Sequence, residues 1–215
     1  MTRSAASWRV MAEPLSTSIS LAALVISGVT AWLTLFRRGT IRMTKPTFVA
    51  FAYDTTPRPD RPAIPKVFLR ALIYSTGKRG HIVENMFVTL RRGETRQTFN
   101  IWGYGDEKLV RSSGMYVGET GVAYNHHFNP PEDSAGFNFG GGKYQLDVFA
   151  ALVGIKKPIH LSSVRLTVPE RDGMQLQDCE YSYWFDWASD SNEYQGHLEH
   201  RRVVRADTFV VAPSI

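Results

Sequence analysis

The chain has 215 residues, a single cysteine and a formal net charge of +5. One cysteine excludes an intrachain disulfide, and the length suits one domain with a sizeable core. Divided by region, the charge also argues against a nucleic-acid-binding face: residues 1–45 hold six Lys/Arg and one acid, whereas residues 46–215 hold 19 of each sign. The basicity belongs to the N-terminal segment, where it favours anionic lipid headgroups over a phosphate-reading patch.

Residues 1–14 read as a short tail, with Arg9 and Glu13 among them and Met11 as an alternative start. The next 22 residues, 15–36, carry no charge. An α-helix needs roughly 20 mostly apolar residues to cross a bilayer core. The run ends in Trp32, Leu33, Leu35 and Phe36 and then Arg37 and Arg38, an aromatic and basic boundary rather than a small-residue cleavage site. The sequence therefore predicts one uncleaved transmembrane helix over 15–36. Its seven Ser and Thr can each bond a backbone carbonyl one turn back. Ser20, Ala23, Ser27 and Ala31 form a stripe of small residues, a candidate helix–helix contact for a homo-oligomer.

A basic juxtamembrane linker is expected over 37–46, with Arg37, Arg38, Arg42 and Lys45 at the lipid headgroups. This excess on the C-terminal flank places the bulk of the chain in the cytoplasm. A single cysteine agrees with a reducing compartment.

Residues 47–215 are expected to form a soluble β-sandwich domain. Aromatic and β-branched runs predict strands over 47–53, 66–75, 82–90 and 95–102, the last two joined as a hairpin around Gly93. Weaker strands are expected over 109–117 and 121–128. Residues 54–65 hold four prolines and read as a loop, and 129–142 reads as another. The clearest alternation lies in Tyr144, Leu146, Val148, Ala150 and Leu152, with a further strand over 159–168. An aromatic-rich C-terminal extension, 169–215, contains a short helix over 169–178 and the run YSYWFDW at 181–187. A hairpin partner is expected over 192–201, and a last apolar patch lies at 208–211.

The fold class is thus mainly β: an antiparallel β-sandwich, of which the immunoglobulin-like form is one, preceded by a transmembrane helix. The run GKYQLDV, followed by another strand, resembles the last two strands of immunoglobulin-like domains. That resemblance covers about 30 residues, lacks a cysteine pair, and implies that the Tyr144 hydroxyl bonds back to upstream backbone. The runs ISGVTAWLTLFRRGTIRMTKPT and PKVFLRALIYSTGKRGHIVENMFVTLRRGE resemble bacterial single-span membrane proteins with a C-terminal β-rich domain. This implies a shared architecture and a bacterial inner-membrane location, and no activity.

No motif specifies catalysis. His126 and His127 are neighbours in a predicted strand and face opposite ways. His197 and His200 would share a face only on a helix, and Cys179 lacks any zinc-type spacing. Gly140-Gly141-Gly142-Lys143 precedes a strand and lacks the following Ser or Thr of a phosphate loop. No metal or cofactor is expected. Tyr183, Trp184, Phe185 and Trp187 form a candidate surface for an unidentified protein partner. The sequence therefore reads as a membrane-anchored, non-enzymatic binding or adaptor protein. The alternative is a tethered hydrolase-type enzyme, which requires a cleft gathering several of Asp106, Glu107, His126, His127, His197 and His200.

Overall fold

The computed structural model describes residues 5–33, 39–54, 63–106, 109–111, 114–131 and 137–200, with side chains from Ser16 onward. After helix α1 (Ala5–Ala31) come strands β1 (Ile41–Met43), β2 (Phe48–Asp54), β3 (Ile64–Ser75), β4 (His81–Arg92), β5 (Thr95–Phe99) and β6 (Ile101–Tyr104). They are followed by β7 (Val110–Arg111), β8 (Met115–Val117), β9 (Val122–Asn129), β10 (Gly142–Leu152) and β11 (Ile159–Val168). A short helix α2 (Glu170–Leu176) then leads to β12 (Tyr181–Ala188) and β13 (Glu193–His200).

The strands form two antiparallel sheets packed face to face. The larger has eight strands in the order β13-β12-β2-β3-β9-β6-β7, with β1 also on β3. The smaller has five, β11-β10-β4-β5, with β8 also on β4. The mainly β, sandwich-like reading of the sequence is therefore correct. Period-two patterning builds the core. Along β3, buried and half-buried residues alternate without a break, so Val67, Leu69, Ala71 and Ile73 point inward. Opposite them, Tyr144, Leu146, Val148, Ala150 and Leu152 of β10 are all buried. Register pairs Leu146 with Leu90 on one side and with Val164 on the other, so three strands present matched apolar rows.

Two expected strands are each divided between the sheets. The run 95–102 breaks at Asn100: β5 pairs with β4 in the small sheet and β6 with β9 in the large one. Burial changes parity there, since Phe99 and Trp102 are both in the core, three positions apart. The run 109–117 also breaks, with β7 on β6 and β8 on β4. Gly114 lies between them at φ +112°, a conformation that L side chains rarely adopt.

The N-terminal boundaries also differ from expectation. The helix begins at Ala5, so the expected tail 1–14 is largely helical and contributes Arg9, Glu13 and Pro14 to α1. Beyond Ala31, Trp32 and Leu33 wind as a π-helix, and residues 34–38 lie outside the described part. Among the described residues no helix is long and apolar enough to cross a membrane. From Gly39 on, the expected linker 37–46 is taken into the fold. Ile41 is buried and pairs with Ser75, while the Thr40 carbonyl accepts from the Thr76 amide at 2.8 Å. Gly39 lies so close to Gly77 that a methyl group would overlap it. Apolar Ile41 and Met43, two positions apart, extend the edge of the sheet, which a charge count does not reveal.

The described part of the C-terminal segment, 169–200, is no appendage, because β12 pairs with β2 inside the large sheet, next to the edge strand β13. The patch at 208–211 lies outside the described residues.

Candidate binding surfaces

Strand alternation divides the C-terminal aromatic run into three environments. Tyr183 and Phe185 are 2% and 1% exposed and belong to the core, which removes them from any partner surface. Phe185 meets Phe51 with centroids 5.2 Å apart, and Tyr183 lies over Gly196, where a Cβ would strike its ring. Trp187 packs at 5.0 Å on Tyr194 and carries the Lys45 ammonium 4.0 Å from its ring centre. Only Trp184 faces outward from the middle of β12. There it joins Phe48 (5.3 Å), Phe68 (5.5 Å) and, through a Phe68 stack at 4.4 Å, His127. This half-buried aromatic row crosses β12, β2, β3 and β9. The Arg70–Asp106 ion pair at 2.6 Å flanks it on one side and Lys66–Asp54 at 3.1 Å on the other. The Arg70 guanidinium holds the exposed Asp106 carboxyl below its usual range. Sequence reading did not place Phe48, Phe68 and His127 beside Trp184, because they come from three separate strands.

The histidines do not converge. His126 is fully buried, and its Nδ1 accepts from Trp102 Nε1 at 3.2 Å. Its Nε2 therefore carries the proton and has no partner. Burial, and next the neighbouring His127, push its pKa down to about 4. His127 is also held at about 4, by burial and then by Lys66. On β13, His197 approaches Asp186 at 3.5 Å and His200 approaches Glu180 at 3.6 Å, from opposite sides of an extended strand. Glu107 lies outside the described residues. No group of three His, Cys, Asp or Glu side chains suited to a metal occurs among the described residues.

The outer face of the small sheet holds a polar cluster around the buried Asp147, with no signature in the sequence. Asp147 on β10 accepts from Ser163 at 2.6 Å, Arg91 at 2.9 Å and Gln145 at 3.1 Å, with His160 Nε2 at 3.6 Å. Burial raises the Asp147 pKa, but these hydrogen bonds outweigh it and hold the carboxyl at about 2. Ser, His and Asp are the residue types of a nucleophilic triad, but the wiring is wrong. The serine donates to the carboxylate and not to the imidazole, so nothing activates it. In the next row, Arg96, Arg91, Gln145 and Arg165 stand side by side on four strands. An open groove of about 520 Å³ runs over Arg91, Lys143, Gln145 and Arg165. It adjoins a second of about 550 Å³ lined by Lys45, Arg165, Trp187 and Glu193. Ser163 also lines this second groove, its hydroxyl turned to Asp147.

Of the expected headgroup residues, Arg42 is exposed beside His160 in a groove of about 310 Å³, and Lys45 sits on Trp187. Arg37 and Arg38 lie outside the described residues. Along α1, the Ser20 hydroxyl bonds the Ser16 carbonyl at 2.9 Å, one turn back. Ala23, Ser27 and Ala31 are all exposed.

Fold and surfaces together define a two-sheet antiparallel β-sandwich with an N-terminal helix. The chain matches no protein-family model and no curated protein sequence.

Proposed function

We propose that this protein is a membrane-anchored, non-enzymatic binding or adaptor module, with its β-sandwich head on the cytoplasmic side of a bacterial plasma membrane. The observation that carries the proposal is the exposure of α1. Every described side chain from Ser16 to Leu33 is exposed, and eight large apolar ones, from Ile19 to Leu33, are 52–69% accessible. An apolar helix with no packed face needs lipid or other helices around it. The uncharged run 15–36 is the proposed span, and the small-residue stripe Ser20, Ala23, Ser27 and Ala31 is the proposed self-association face. The excess of Arg and Lys after the run supports the orientation.

Binding rather than catalysis is favoured by the miswired Ser163–Asp147–His160 cluster and by the outward aromatic row around Trp184, which offers a protein partner apolar area rimmed by ion pairs. The Tyr144 hydroxyl donates to the Gly140 carbonyl at 2.7 Å, the upstream bond that an immunoglobulin-like sandwich would make. Crosslinking in intact membranes followed by purification tests the reading. A partner lost on Trp184→Ala supports it; no partner together with turnover of a substrate overturns it.

A further inference from the structure

We infer that the end of the sandwich nearest α1 docks directly onto an anionic lipid surface. This rests on the membrane reading above and adds a second, separable contact.

Four of the seven large apolar side chains that the described head exposes lie at this one end: Ile82 (50%), Tyr116 (61%), Val153 (59%) and Ile155 (44%). Strand pairing brings them together from distant positions. Ile82 pairs with Tyr116, and the Val153 amide donates to the Ile82 carbonyl at 3.0 Å. Val153 and Ile155 flank Gly154, at φ +80°, in the turn between β10 and β11. The next two residues in that turn are Lys156 and Lys157, both exposed. The neighbouring turn, between β3 and β4, carries exposed Lys78 and Arg79, and the Tyr116 hydroxyl donates to the Arg79 carbonyl at 3.3 Å. Two exposed acids stand beside these segments, Glu119 and Glu84, the latter two residues along β4 from Ile82. Apolar tips ringed by Lys and Arg match the boundary between acyl chains and acidic headgroups.

Chain length commits the surface to the bilayer. Gly39 rests on Gly77 in the same turn that carries Lys78 and Arg79. From Leu33 to Gly39 is six residue steps, which reach at most about 20 Å when fully extended. With α1 in lipid, this short tether keeps the end of the sandwich within about 20 Å of the helix end, and its tips meet lipid at little further entropic cost.

The test uses the full chain with Cys179→Ser, carrying a fluorescent label at Val153→Cys or, at the opposite end, at Met174→Cys, which is also exposed. Flotation is measured with phosphatidylcholine vesicles with and without phosphatidylglycerol, and quenching with brominated lipid. The label at 153 should be quenched and blue-shifted on phosphatidylglycerol vesicles while the label at 174 stays unquenched. Replacing Lys78, Lys156 and Lys157 by Gln should weaken docking on the order of 100-fold.

Flotation with both lipids but no quenching at 153 overturns docking and leaves the anchor standing. Equal quenching at both positions, or shielding at 153 by a second protein copy rather than by lipid, also overturns docking. Flotation only on phosphatidylglycerol vesicles, abolished by Val153→Asp with Ile155→Asp, supports docking and removes the span. No flotation with either lipid removes both.

Discussion

The two ends of the sandwich are finished differently. The distal end, away from α1, is sealed by its own chain. The Tyr53 hydroxyl, from the large sheet, accepts from the Phe139 amide at 2.9 Å. The Tyr144 hydroxyl, from the small sheet, accepts from the Gly140 amide at 2.9 Å and from Arg92 at 3.0 Å. Phe139 stacks on Phe51 at 4.7 Å, and Gly173 of α2 presses against the backbone of Gly140 and Gly141. The glycines beside Lys143 thus serve packing, letting the loop approach a helix closely. Among the described residues, the proximal end has no such lid. Its turns leave Ile82, Tyr116, Val153 and Ile155 in contact with solvent. A fold able to close one end with a loop and a helix leaves the other open where the chain leads back to the apolar helix.

The comparison breaks most easily at the distal end. Gly173→Val would drive a side chain into the Gly141 backbone, and should cost about 3 kcal/mol or more in urea unfolding. Acidification gives a loss of similar size from the interior between the ends. The His126 pKa of about 4 in the fold lies below the 6.5 of the unfolded chain, so unfolding takes up a proton between those values. The stability this group contributes is complete above pH 6.5 and is lost as the pH falls toward 4, by about 3 kcal/mol from the size of the shift. Depression of His127 acts in the same direction. Unfolding measured at pH 7 and pH 4.5 should show the loss, and His126→Gln should reduce it, leaving the share from His127.

Tyr53→Phe and Tyr144→Phe each strand buried backbone groups of the 139–140 loop, and should each cost about 1–3 kcal/mol by thermal or urea unfolding. Val153→Asp and Ile155→Asp, at the proximal end, should change unfolding by less than about 0.5 kcal/mol, since these side chains are exposed. Their effect should appear in quenching by brominated phosphatidylglycerol vesicles. A stability loss matching that of the tyrosine variants would mean the two ends are built alike.

Strand legibility followed periodicity. The strand over 159–168 and the core rows of β3 and β10 are readable because alternation is a local property of the chain. The breaks at Asn100 and Gly114 are not, since a one-residue change of parity matters only once each half has a different sheet to join. Asp147 reads as an outward-facing strand residue, and its burial depends on Arg91 and Ser163, which are 56 and 16 positions away. YSYWFDW shows the limit from the other side: period two already separates Trp184 from Tyr183 and Phe185, but no local pattern supplies Phe48 and Phe68 as its neighbours.

Composition and order of residues alone determined that an uncharged apolar segment precedes a β-rich head with balanced charge, and which residues along the best strands turn inward. Both depend on neighbours a few positions apart, which backbone geometry brings to the same side. Tertiary structure decided which strands lie side by side. It thereby placed Ile82, Tyr116 and Val153 on one tip, closed the opposite tip with Tyr53 and Tyr144, and wired Ser163 to Asp147. Those contacts join residues far apart in the chain, and strand order, not local pattern, sets who meets whom.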